Sequence, residues 1–244
     1  MNSARRWQRA RQVTQVVSLL FFLYLVIATA RRGTALLPGD LYLRFDPLVA
    51  LAAQLGGRHV LARLAPAILT VVLAFVVGRA WCGWICPLGT TIDYVAPRRQ
   101  RRQADEPPVR LRSIKYALLF VVVFAALFGN LTLMILDPIT IIGRTVITAA
   151  LPALNMAVTS AQIALYRVGP LQVPLEVFER TFRGNILAPT QPFFQLNLLL
   201  ALLFVGILAL NWVAPRFWCR YLCPLGALLA LPARIAVLRP RSAG

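Results

Sequence analysis

The sequence predicts an all-α, polytopic membrane protein with about four transmembrane helices arranged as two repeated hairpins. Three observations carry that expectation. Hydrophobic residues make up 59% of the 244 and charged residues 14%, where soluble domains average about 45–50% and about 25%. The uncharged stretches are long, and clusters of charge separate them. A pattern Arg-x-Trp-Cys-x-aromatic-x-Cys-Pro-Leu-Gly also occurs twice, at Arg79–Gly89 and Arg216–Gly226, each time after an apolar run.

The net charge of +18 would suit a nucleic-acid binder. The basic residues, however, flank the apolar segments as the positive-inside rule expects, and little chain is left to build a soluble basic face. Membrane lipid is the expected environment, and no nucleic-acid partner is expected.

The first span runs from Val13 to Ala30, after Arg5, Arg6, Arg9 and Arg11 and before Arg31-Arg32. The apolar run is long for the core of a cleaved signal peptide, so it is read as a spanning helix. A loop carrying Asp40, Arg44 and Asp46-Pro47 leads through Gly56-Gly57 to a second span, Leu64–Gly78. The connector Arg98–Lys115 is basic and contains Pro107-Pro108. The third span, Tyr116–Leu136, holds no charge, and a helix of that length rises about 30 Å, enough to cross the hydrocarbon core. Residues 139–195 are expected as an external insertion. Thr145–Tyr166 is uncharged, but Pro152, Asn155, Gln162 and several hydroxyls favour an amphipathic or re-entrant piece over a fifth span. The last span is Leu196–Val213. With four spans, 17 of the 26 basic residues fall on the side of the termini and both cysteine motifs. That side is therefore expected to be cytoplasmic, in a bacterial inner membrane.

Two units follow, residues 1–112 and 113–244. Each has a span, an Asp-Pro pair (Asp46-Pro47, Asp137-Pro138), a second span and a cysteine motif. Both hairpins run the same way through the membrane, which predicts a pseudo-twofold axis along its normal, with the cysteine motifs side by side. All four cysteines of the chain lie in the motifs. Cysteines at i and i+4 share one helical face, proline favours a turn or the first helical position, and glycine leaves room for close backbone approach. Cys82, Cys86, Cys219 and Cys223 thus form a four-thiolate set, the ligand count of an iron–sulfur cluster or a structural zinc. The neighbouring tryptophans and arginines suit an apolar pocket with positive charge to offset the thiolates.

The repeated Cys-x3-Cys-Pro-Leu-Gly after a span resembles the NapH/NosR-type membrane-bound 4Fe-4S-binding family, the membrane component of quinol dehydrogenases. The resemblance covers Val13 to about Pro232. It implies four spans, cytoplasmic motifs, a 4Fe-4S cluster at the motif cysteines, and electron transfer from quinol to a ferredoxin-like or other redox subunit. Larger members continue into ferredoxin modules with Cys-x2-Cys-x2-Cys-x3-Cys-Pro, a run this sequence does not contain; a separate ferredoxin-like partner is then expected to carry electrons onward.

Asp46 and Asp137 have two readings: helix N-caps ahead of a proline, or proton acceptors beside a quinol site on the outer half of the membrane. They are the catalytic candidates. His59, the single histidine, excludes a bis-histidine haem within the chain. The Arg98–Arg102 cluster sets topology and offers an acidic partner a docking surface. Two other function classes compete with the electron carrier: a quinone-linked thiol oxidoreductase, whose reactive cysteines would face the oxidising side, and a thiolate membrane protein handling copper or zinc.

Overall fold

The computed structural model describes residues 2–30, 39–58, 62–78, 80–95, 111, 113–166 and 197–236. In chain order its helices are α1 (Asn2–Ala30), α2 (Leu41–Arg44), α3 (Pro47–Gly57), α4 (Pro66–Val77), α5 (Ala80–Trp84), α6 (Pro87–Val95), α7 (Ile114–Leu127), α8 (Pro138–Thr145), α9 (Leu151–Leu165), α10 (Asn197–Ala209) and α11 (Pro224–Leu228). Among the described residues there is no strand, so the all-α expectation holds.

The first expected span lies inside α1, whose stretch Arg6–Thr29 is long and apolar enough to cross a membrane. One side of α1 is buried through Gln15, Ser18, Phe22, Leu25 and Val26, while Val13, Val17, Leu20 and Tyr24 stand exposed. The spacing of the buried set follows one helical face. Phe22, Leu25 and Val26 pack with Tyr42, Ile139 and Ile142, and α1 is thereby laid against the start of α8.

The second and third expected spans are shorter as helices than as apolar runs. Helix α4 has 12 residues, a rise of about 18 Å. The charge-free run from Tyr116 to Leu136 stops being α-helical at Leu127. Gly129 takes φ +76°, its N–H donates to the Ala126 carbonyl at 2.9 Å, and the Asn130 N–H donates to that of Ala125 at 2.9 Å. This is a Schellman stop, which needs a left-handed residue and finds glycine. A 3-10 turn, Thr132–Leu136, then carries the chain to Asp137.

The segment expected as an external insertion begins in the core. Ile139, Ile141 and Ile142 are buried, and α8 continues through a π-helical turn, Val146–Ala150, into α9. Together Pro138–Leu165 form the second helix long and apolar enough to span a membrane. Pro152 does not end it; the π-helical turn lies directly before it, and such local adjustments accommodate a proline within a helix. The rest of the expected insertion, 167–196, lies outside the described residues. The last expected span is α10 extended by the turn Leu210–Trp212.

The main core gathers Leu48, Trp81, Cys86, Leu88, Ile92, Ile141, Trp218, Cys223 and Leu225. Its packing crosses between the halves, with α6 on α8 and α11 on α3, and α11 also lies on α7 of its own half.

Candidate functional site

Four Xaa-Pro steps open four helices around this core: Asp46-Pro47, Cys86-Pro87, Asp137-Pro138 and Cys223-Pro224. Proline fits the first helical position because its missing N–H would have no partner there, and the residue before it is pushed toward extended backbone. Asp46, Asp137 and Cys223 show that conformation, with ψ of 111°, 132° and 115°. Asp46 Oδ1 accepts from the N–H of Leu48 at 2.8 Å and of Val49 at 3.3 Å. Asp137 Oδ2 accepts from Ile139 at 3.1 Å and Thr140 at 2.9 Å. The sulfurs do the same work: Cys223 Sγ accepts from the Gly226 N–H at 3.2 Å, and Cys86 from that of Gly89. The capping reading of the two aspartates is therefore realised in the structure.

The cysteines of a pair do not share one face of one helix, as their spacing predicts. The Trp81 carbonyl accepts from Ile85 at 3.1 Å and from Cys86 at 3.0 Å, and the Trp218 carbonyl accepts from Cys223 at 2.9 Å. The two cysteine bonds are i to i+5, each a widened turn of the kind found at functional sites. Proline one step later then forces a new helix to start. The first cysteine of each motif is folded back over the Pro-Leu-Gly step. A Cβ on Gly89 would stand 2.7 Å from the Cys82 carbonyl oxygen, and one on Gly226 would stand 3.1 Å from that of Cys219. Glycine is required at both positions for this approach.

Cys82, Cys86, Cys219 and Cys223 form no disulfide, the first of each pair being half-buried and the second buried. They interact electrostatically within and between pairs, so both motifs converge on one place. Among the described residues no three His, Cys, Asp or Glu side chains lie close enough to hold a single metal ion. A single tetrahedral ion draws its thiolates to about 3.8 Å apart, given metal–sulfur bonds of about 2.3 Å. Four cysteine thiolates are the ligand count of an iron–sulfur cluster. Two buried indole N–H groups, Trp81 Nε1 and Trp218 Nε1, lack a partner and leave donors over in the same core for an anionic guest. The residues present fit an iron–sulfur group.

A polar latch lies over the site that the motif reading did not find. Arg216 Nε donates to Asp93 Oδ1 at 2.7 Å, and Nη2 donates to Oδ2. Gln15 Nε2 donates to Asp93 Oδ2 and to the Gly83 carbonyl, both at 3.0 Å, and Arg11 reaches Asp93 at 2.9 Å. Ser18 Oγ donates to the Ile85 carbonyl at 2.7 Å. Arg216 itself has φ +56°; its N–H donates at 2.7 Å to Asn211, whose amide donates at 3.1 Å to the Ile92 carbonyl. The arginine of the second motif therefore holds the helix that follows the first motif. Burial alone would push the Asp93 carboxyl up, but hydrogen bonds and charge from Arg216, with Gln15 and Arg11, outweigh it and hold it below its ordinary range. The sequence signal for the latch was three polar residues, Gln15, Asp93 and Asn211, inside otherwise apolar segments.

Asp46 and Asp137 do not lie across the molecule from the cysteines, as a separate outer site would require. They contact each other, and Asp137 is close enough to Cys86 to interact with it electrostatically. Arg79, His59 and Arg98–Arg102 lie outside the described residues.

Residues 60–104 and 196–242, one stretch in each half, match the 4Fe-4S binding domain family. An uncharacterized protein of Methanocaldococcus jannaschii, MJ0749, is 27% identical over 191 residues, 75% of this chain and 52% of the relative. The ferredoxin-type protein NapH of Escherichia coli is 33% identical over 106 residues, 42% of this chain and 37% of the relative. The methylamine utilization ferredoxin-type protein MauN of Methylobacillus flagellatus is 25% identical over 242 residues, 96% of this chain and 69% of the relative. The chain thus spans about half the length of the first of these relatives and less of the second. No solved structure matches it. The helical fold and its paired cysteine motifs define an iron–sulfur protein. Within that class, the chain is similar to the NapH-like 4Fe-4S proteins.

Proposed function

We propose that the protein is a membrane-embedded electron carrier in which Cys82, Cys86, Cys219 and Cys223 jointly hold one iron–sulfur cluster. The carrying observation is the convergence of the two cysteine turns, each closed by the same i to i+5 bond and the same glycine contact. The 4Fe-4S family match on both halves and the ferredoxin-type names of the relatives support it. A bound cluster supplies one-electron chemistry. The chain's own residues do the rest: the Gly89 and Gly226 N–H groups orient the buried sulfurs, the tryptophans exclude water, and Arg216 places positive charge beside Cys82 and Cys219.

A lipid setting is supported by the outward side chains. Ile68, Leu69, Val72 and Phe75 on α4, Phe120 and Phe124 on α7, and Leu198, Leu202 and Val205 on α10 are exposed, far more apolar surface than a soluble monomer shows. The positive-inside rule puts both termini and both motifs in the cytoplasm, within reach of a ferredoxin-like subunit. The two-unit division, 1–112 and 113–244, with a pseudo-twofold axis along the membrane normal, is supported by matching caps in each half. A cavity of about 740 Å³ between the C-terminal ends of α3 and α7, lined by Gln54, Leu55, Arg58 and Phe128, offers an apolar floor with polar donors for quinol.

Anaerobic purification followed by iron and sulfide analysis and EPR tests the assignment. The expected result is stoichiometric iron and sulfide with a cluster signal that Cys86→Ser and Cys223→Ser both abolish. Iron-free protein whose serine variants still support electron flow would overturn it.

A further inference from the structure

Asp46 and Asp137 meet as two fully buried carboxyl groups. Both are 0% exposed, and among the described residues no Lys, Arg or His pairs with either. Each commits one oxygen to the N-terminus of its helix. The remaining oxygens, Asp46 Oδ2 and Asp137 Oδ1, are buried and find no donor, although the two side chains stand at hydrogen-bonding distance from one another.

An ionised carboxylate only accepts, so two of them cannot form a hydrogen bond. Two adjacent negative charges sealed from water also repel strongly enough that only one ionises. A single proton resolves both problems, turning one carboxyl into a donor to the other. The charge-bearing groups around the pair are few. Cys86, from the turn between α5 and α6, interacts electrostatically with Asp137. Tyr42, on α2, directs its hydroxyl to Ser18 on α1. Thr140, on α8, hydrogen-bonds Asp137 through both backbone and side chain.

We propose that Asp46 and Asp137 form a proton-holding site, one proton shared between the two halves of the chain, placed where charge at Cys86 is felt. The sharing rests on the burial of the pair and its two unmatched oxygens; its response to redox change rests on the proposed function. When the charge at the cysteine site changes, the proton moves between the two carboxyls. It stays within the pair, so no co-reactant is needed and the electron count at the cysteines is separate.

Infrared spectroscopy of the full chain in an ester-free detergent tests this, at mildly alkaline pH where exposed carboxyls are ionised. With only eight Asp and Glu in the sequence, the carbonyl stretch of one un-ionised carboxylic acid is resolvable. The expected result is such a band, sensitive to deuterium oxide, and lost in both Asp46→Asn and Asp137→Asn. Asparagine keeps an acceptor for the helix N-terminus and gives the remaining carboxylate an amide donor, so either replacement removes the need for the proton. Absence of the band in the wild-type protein, or its loss in only one of the two variants, would overturn the sharing. The wild-type spectrum decides the matter even where a variant fails to fold. In protein shown by analysis to contain iron, the band is expected to shift between oxidised and reduced samples. An unshifted band there would overturn the coupling to Cys86. A band in iron-free protein supports the pair, and the serine variants then decide the cluster assignment separately.

Discussion

At the level of single residues, the site depends on two glycines with unequal room. The Cβ of Gly89→Ala would meet backbone oxygen at 2.7 Å, while that of Gly226→Ala would meet it at 3.1 Å. Backbone cannot swing aside as a side chain can, so Gly89→Ala is expected to cost ~1–3 kcal/mol and Gly226→Ala less. Thermal unfolding of the two variants checks the order, and iron content checks whether the Cys82 turn still closes. Asp93 makes a second prediction at this scale. Its carboxyl is held below its ordinary value in the fold. The latch therefore contributes its stability at pH values above the ordinary carboxylate range and loses it as pH falls through the folded value. Asp93→Asn is expected to be less stable than wild type at neutral pH and level with it in acid; unfolding curves across pH measure this. The cysteines and glycines were legible in the sequence because they repeat. Asp93 was not, because the second motif has Ala230 where an equivalent acid would stand.

Among the helices, hydropathy located the four expected apolar runs but not where each helix ends. Tyr116–Leu136 reads as one span by charge and length, yet a single left-handed glycine divides it. Gly129→Ala places a Cβ in a conformation that costs an L-residue ~1–2 kcal/mol, and nothing lies within 4 Å to clash with it. The expected loss of stability is thus purely conformational, and Gly129→Asn should recover part of it, since asparagine tolerates that backbone. Thermal unfolding of the two variants provides the comparison. Residues 145–166 read as an amphipathic or re-entrant piece because of Pro152, Asn155, Gln162 and several hydroxyls, whereas the helix runs on through a π turn set just before Pro152.

For the whole molecule, the meeting of Asp-Pro and Cys-Pro steps could not be read from either repeat, because it exists only where the halves pack on each other. Orientation is the testable property at this scale. Labelling of intact cells with a membrane-impermeant thiol reagent is expected to leave Cys82 and Cys219, the half-buried members of each pair, unmodified, and to reach them only after the membrane is opened. Labelling from outside would place the motifs on the opposite face. The crossed packing also bears on ancestry. Since α6 rests on α8 and α11 on α3, each cysteine turn is packed in part by the other half. A lone hairpin unit of this design would have completed its site only by dimerising with an identical copy. A gene for one such unit, duplicated and fused, would leave the marks seen here: shared caps and turns, and a latch residue at Asp93 that lost or gained its counterpart once the copies could diverge.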